Sequence, residues 1–262
     1  MGLSVEIAMS DSTSHEASSA GPSFYARPRL LRRQWMQDWW TVLHPPYTML
    51  HLSLVTIGAC LVGPVNSNRL LLTLLAFFLA VGIGAHSLDE LNGRPLRTSI
   101  PAGQLVAASV LSLAGAIALG VIGLFLVSFY LAIFIAAGAF IAVAYNLELF
   151  HGKLHTNVVL VLAWGGFPVL TAYFAQHDRL GVAAFIAAAF GVLITHIQRL
   201  LSTPARDLRR RTASIEGTVV RTDGSVVEVT RQMMLRPLEQ SLRTLCWAGA
   251  SLALALAYVR LR

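Results

Sequence analysis

The sequence predicts an all-α protein: a polytopic transmembrane helical bundle with a cytoplasmic cap segment. Composition is the first reason. The 262 residues are 55% hydrophobic and only 13% charged, with a mean hydropathy of +0.64. A soluble domain cannot cover itself with so little polar surface. The second reason is the recurrence of apolar runs, about seven of them, each near the roughly twenty residues that cross a hydrocarbon layer. The third is that charge gathers in the polar segments between those runs.

Taken in order, residues 1–28 are rich in Ser, Ala and Gly. They have no apolar face to fold around and read as a disordered tail without a signal-peptide core. Residues 29–47 change character: Arg27, Arg29, Arg32 and Arg33 are followed by Trp35, Trp39 and Trp40. Basic residues beside tryptophans suit an interfacial amphipathic helix in the headgroup layer. His44-Pro45-Pro46 then breaks it. The transmembrane domain is 48–262, with spans expected near 48–65, 70–86, 103–122, 124–145, 158–175, 180–197 and 244–261. The apolar stretch 105–144 is too long for one span, and Gly120 and Gly123 mark the expected turn within it. Gly115, Gly120, Gly138, Gly165 and Gly166 read as close-packing positions. Cys60 and Cys246 lie in apolar runs and read as small packing residues, not as a disulfide.

Residues 195–243 form the longest polar stretch and are expected to cap the cytoplasmic mouth. Within it, Asp223-Gly224 between β-branched runs predicts a small hairpin. Arg and Lys are concentrated in this stretch, in the N-terminal approach and in the loop around 92–100, with Lys153 in the loop around 147–157. The positive-inside rule places the N-terminus and those polar loops in the cytoplasm, in a plasma or inner membrane. The same charge suits anionic membrane lipid, and with no basic-aromatic module the sequence gives no sign of nucleic-acid binding.

The richest polar stretch is 84–101, Gly-Ala-His-Ser-Leu-Asp-Glu-Leu-Asn-Gly-Arg-Pro-Leu-Arg-Thr-Ser-Ile-Pro. Ionisable groups at the end of an apolar run point to a functional site. The pattern resembles the first aspartate-rich motif of the UbiA superfamily of intramembrane prenyltransferases, Asn-Asp-x-x-Asp-x-x-x-Asp followed by Arg-Pro. Asp89 takes the second acidic place, Glu90 adjoins it, and Arg94-Pro95 follows. Ala85 and His86 stand where the family has Asn-Asp, and Gly93 stands where it has the last Asp. Arg206-Asp207 is similar to the opening of the family's second motif, with Arg211 in the place of its second Asp. The loop from Tyr145 and Asn146 to Lys153 resembles the corresponding family loop more loosely.

The resemblance implies transfer of a prenyl group from a prenyl diphosphate to a lipophilic acceptor within the membrane. It implies Mg²⁺ held by Asp89, Glu90 and Asp207, which are also the expected catalytic residues. His86, Arg94, Arg97, Tyr145, Asn146, Lys153 and Arg206 are the expected substrate-binding residues. Trp164, Phe167, Tyr173 and Tyr145 are candidates to face an allylic cation. Two alternatives stand beside this reading: a non-catalytic UbiA-like partner or binding subunit, which the thinned acidic motifs suit, and a terpene cyclase on the same scaffold. His151 and His155, four residues apart, would share a metal if their loop were helical.

Overall fold

The structure, a computed structural model, describes residues 33–262. The expected tail, with Arg27, Arg29 and Arg32, lies outside them. Helix α1 (Gln34–Leu43) turns Trp35 and Trp40 outward and buries Asp38 and Val42. His44 ends it in the left-handed region, at φ 45°. Pro45 then opens α2 (Pro45–Cys60), where its missing N–H costs nothing. The expected break at His44-Pro45-Pro46 is therefore a corner of one residue.

Helix α2 forms the centre. Helix α2 is enclosed on nearly every side, with Leu54, Val55 and Ala59 almost fully buried. It packs on α6 (Asn157–His177) through Val169 and Ala172, and on α8 (Arg231–Arg260) through Ala253 and Leu256. Around it stand α3 (Ser67–Leu91), α4 (Ala102–Leu126), α5 (Leu131–Asn146) and α7 (Val182–Arg210). Side chains set several helix starts: Asn66 accepts from the Arg69 amide, Thr156 from Val159 and Thr230 from Met233.

Five helices (α3, α4, α6, α7 and α8) are long and apolar enough to cross a membrane. Their outer faces stay apolar: only 17% of the α4 window is buried in the bundle, and Leu111, Phe125 and Leu254 point away from it. Apolar surface left outside suits hydrocarbon, not water. The chain therefore reads as a membrane protein. Helices α2 and α5 have 16 residues each. That is about 24 Å of helix, short of a hydrocarbon core of about 30 Å.

Two sequence expectations are corrected. The turn inside 105–144 falls at residues 127–130, not at Gly120 or Gly123. Both glycines are helical, and a Cβ on either would meet Ile135 or Leu131 at 2.8 Å. They bring α4 against α5. The stretch 195–243 is also less of a cap than expected. Residues 195–210 continue α7 and 231–243 begin α8. Between them stands the expected hairpin, β1 (Thr218–Val220) paired antiparallel with β2 (Val226–Glu228). Charged residues extend these two helices because their outer turns lie beyond the apolar belt. There the buried pair Arg209–Glu239, 2.5 Å apart, ties α7 to α8.

Helices α6 and α7 meet backbone to backbone. A Cβ on Gly191 would lie 2.4 Å from the Gly165 carbonyl oxygen, and one on Gly165 2.5 Å from that of Gly191. No side chain can yield there, so Gly191→Ala forces the helices apart. The expected cost is about 1–3 kcal/mol, read as a lowered midpoint of thermal unfolding in detergent. Gly103→Ala, in open space on α4, is the control and leaves the midpoint unchanged or raised.

Candidate functional site

The helix ends that carry 86–92, 145–148 and 195–211 enclose a cleft of about 570 Å³. His86, Asp89, Tyr145, Asn146, Arg206 and Asp207, all expected from sequence, line it. Its floor is apolar, with Leu50, Leu54, Val81 and Leu160, and Trp164 stands on one wall. Tyr145 lies between Trp164 and His155, with ring centroids 4.7 and 4.4 Å away. Of the four aromatics expected at the site, Trp164 and Tyr145 line the cleft; Phe167 and Tyr173 do not.

Asp89 makes no hydrogen bond or ion pair among the described residues. Its electrostatic neighbours are His155, Arg206, Arg210 and Glu90. Across from it, α7 presents Arg199, Arg206 and Arg210, spaced to share one helical face. Their hydrogen bonds go to neutral oxygens: Arg199 to Asn157 at 3.1 Å, Arg206 to Thr203 at 3.4 Å, Arg210 to the Pro95 carbonyl at 2.7 Å. None pairs with a carboxylate among the described residues. A carboxylate and three guanidinium groups without ion-pair partners, above an apolar floor, suit an amphiphile with an anionic head. Asp207 is more committed, standing 3.6 Å from Arg211.

Glu90 has a different task from the one its neighbour suggested. Its carboxylate is fully buried and accepts from the Leu96 amide (2.8 Å), the Thr98 amide (2.9 Å) and the Thr98 hydroxyl (2.8 Å). Consecutive helical residues point about 100° apart, so Asp89 faces the cleft while Glu90 faces the loop. Arg94 also serves the loop, donating to the Thr98 and Ile100 carbonyls at 3.3 and 2.6 Å. Arg97 and Lys153 are exposed and do not line the cleft. The loop holding His151 is a series of turns, with positive φ at Glu148, Phe150 and His151. The two histidines therefore do not share a helical face. No group of three His, Cys, Asp or Glu side chains is poised for a metal among the described residues.

Sequence reasoning missed the α1–α2 corner. His44, Tyr47 and His51 line the cleft, and so do Gln198, Arg199 and Arg210 of α7. The 199/206/210 periodicity was available as a signal; the corner was read only as a helix stop. Three of the cleft imidazoles turn Nδ1 to a backbone carbonyl: His44 to Val42 (2.8 Å), His51 to Trp164 (3.3 Å), His86 to Gly82 (3.3 Å). A carbonyl only accepts, so each Nδ1 carries the proton. Comparison with protein-family models, with curated proteins and with solved structures finds no match for this chain.

Two outcomes follow from this geometry. Glu90→Gln sets an amide NH₂ against donors it cannot accept from. It should destabilise by about 1–3 kcal/mol, measured by denaturation in detergent, with an effect on stability that ligand does not reverse. His44 lies outside the long spans, and burial, reinforced by His86 at 4.7 Å, lowers its pKa from 6.5 to about 3. The unfolded chain therefore binds a proton that the folded chain refuses. Stability drawn from this residue is complete above pH 6.5 and falls as pH drops toward 3. His44→Asn, which tolerates the same backbone, should flatten the melting-temperature profile over that window relative to wild type.

Proposed function

We propose that the chain is a divergent UbiA-type prenyltransferase. It moves a prenyl group from a prenyl diphosphate to a lipophilic acceptor within the membrane, using Mg²⁺. One observation carries this reading: the bare Asp89 carboxylate and the arginines of α7 share a cleft whose floor is apolar and aromatic. The cleft opens to the cytoplasm, where the positive-inside rule puts its basic rim. All seven rods embed: α2 is enclosed by its neighbours, and α5 turns an apolar face with Ile133 and Phe140 outward.

Asp89, together with the substrate phosphates, would hold one Mg²⁺; Asp207 stands beside Arg211 and is not among the charges that act on Asp89. Mg²⁺ usually asks for one or two carboxylates, phosphate oxygens and water. When bound, it supplies charge to offset the departing diphosphate. Glu90 is withdrawn from the metal set because its oxygens already hold the loop. Arg199, Arg206 and Arg210 grip the phosphate oxygens. The bond from the prenyl carbon to the diphosphate oxygen breaks, its electron pair leaving with the oxygen. Tyr145 and Trp164 face the allylic cation and exclude water. The acceptor then bonds to that carbon and passes its proton to the released diphosphate.

A second reading has its own observation. With Glu90 engaged and Asp207 beside Arg211, Asp89 is the one bare carboxylate of the expected metal set. That suits a non-catalytic binding or partner subunit. A terpene cyclase differs from the first reading only in having no acceptor. The test is diphosphate release from geranylgeranyl diphosphate by purified protein, with Mg²⁺ or with EDTA. The transferase reading expects Mg²⁺-dependent release that falls about a hundredfold or more in Asp89→Asn. Release unchanged in that variant, or indifferent to EDTA, contradicts it. Binding without release supports the subunit.

A further inference from the structure

Below Arg206 and Arg210, α7 turns a second kind of side chain into the cleft. Thr195, Gln198 and Ser202 follow one another at three and four residues and share one helical face. All three line the cleft, and each is more than nine-tenths buried. Their surroundings differ. Ser202 is hydrogen-bonded to the Tyr47 hydroxyl and donates to the Arg199 carbonyl at 3.4 Å. Gln198 and Thr195, each 7% exposed, have no side-chain hydrogen bond among the described residues. A buried amide without a partner is rare, because burial costs it its bonds to water and returns none. Nor is Gln198 sealed into a packing defect, since its amide atoms stay open to the cleft. His51 also carries an unpartnered atom, Nε2, but that atom is buried away from the open space.

Depth separates Gln198 from the anion site. It precedes Arg206 and Arg210 on α7, and lies about 12 and 18 Å deeper along the rod at 1.5 Å per residue. Arg199, its sequence neighbour, turns its guanidinium to Asn157, at the start of α6. Thr195 stands beside the contact of α6 with α7: its Oγ1 is 2.7 Å from where a Cβ on Gly165 would sit. Leu160 and Trp164, on α6, complete an apolar surround. An amide in such a place both donates and accepts. A hydroxyl answers both halves, its oxygen taking the N–H and its proton going to the amide oxygen. An anion answers only the N–H.

Resting on the prenyltransferase reading of the cleft, we infer that Gln198 binds the acceptor, and that the acceptor is a lipophilic molecule carrying an uncharged hydroxyl. The hydroxyl exchanges hydrogen bonds with the Gln198 amide. Thr195 forms the lower polar edge of the seat, and the apolar body of the acceptor lies against Leu160 and Trp164. One cleft thus recognises its two substrates by different chemistry, a charged head at the arginines and a neutral group beneath them.

The experiment is equilibrium binding of β-naphthol and of naphthalene to the full chain in detergent, saturated with geranylgeranyl diphosphate and with EDTA present to prevent turnover. Naphthalene lacks only the hydroxyl, so the ratio of the two affinities, corrected for uptake by empty micelles, reads the hydrogen bonds. Wild type should favour β-naphthol by roughly tenfold or more. Gln198→Met keeps the length of the side chain and removes the amide. It should erase that preference and leave the binding of geranylgeranyl diphosphate unchanged. It should also raise the thermal midpoint of the ligand-free protein, because an unpartnered buried amide is gone; a glutamine that merely braced the helices would lower it. If Gln198→Met does not fold, Gln198→Leu and the wild-type ratio decide the matter. Equal binding of the two probes by wild type, a preference that survives in the folded variant, or a midpoint that falls overturns the inference. Failure of geranylgeranyl diphosphate to bind wild type instead overturns the reading of the cleft itself.

Discussion

Two hydrogen bonds from imidazole to helix carbonyl hold the cleft in shape. Helix α3 widens to a π-helical stretch at Phe78–Ala85, and α6 does so at Leu162–Gly166. A π-helical turn shifts the hydrogen-bond register and bends the rod, and such turns gather at functional sites. One carbonyl inside each stretch accepts from a cleft histidine: Gly82 from His86, and Trp164 from His51. The histidines thereby satisfy acceptors in a region that hydrocarbon would leave bare. In return the turns fix which nitrogen of each ring carries its proton. The widened stretch of α3 also sets the rotation of its last turn, and so decides that Asp89 looks inward.

The loop that follows is held from four sides. Glu90 takes its amides, and Arg94 folds back on its carbonyls. Asp38, buried on α1, accepts from the Ser99 amide at 3.0 Å and from the Ser99 hydroxyl. Arg210 on α7 reaches the Pro95 carbonyl. A short polar loop thereby couples the amphipathic N-terminal helix to both walls of the cleft. Charges at this depth are expensive unless paired or hydrogen-bonded. Most of those here are spent on architecture, while Asp89, Arg199 and Arg206 keep no carboxylate or guanidinium ion-pair partner among the described residues.

The helical rods were legible because apolar runs of span length leave few alternatives. The hairpin was legible because Asp223-Gly224 fits its turn chemistry. The reversal at 127–130 was not: Gly120 and Gly123 signal a turn and a close helix contact equally well, and only the facing Ile135 and Leu131 decide between them. Asp89 and Glu90 were indistinguishable as neighbours in one motif, since sequence does not show the rotation of a helix end. The family motif makes Arg94 an expected phosphate ligand, yet from a left-handed backbone it donates to carbonyls of its own loop. His44 and His51 escaped notice because a lone imidazole near an apolar run carries no pattern.

The central claim is that chain segments far apart in sequence converge on one cleft that seats an anionic head over an apolar floor. Photo-crosslinking tests it most directly, using a prenyl diphosphate analogue with a benzophenone at the tail and mass spectrometry of the labelled peptides. The account predicts label in the peptides that carry Leu54, Val81 and Trp164, competed away by excess geranylgeranyl diphosphate. Label confined to the outward apolar faces, at residues such as Leu111, Phe125 and Leu254, and insensitive to competitor, would contradict it.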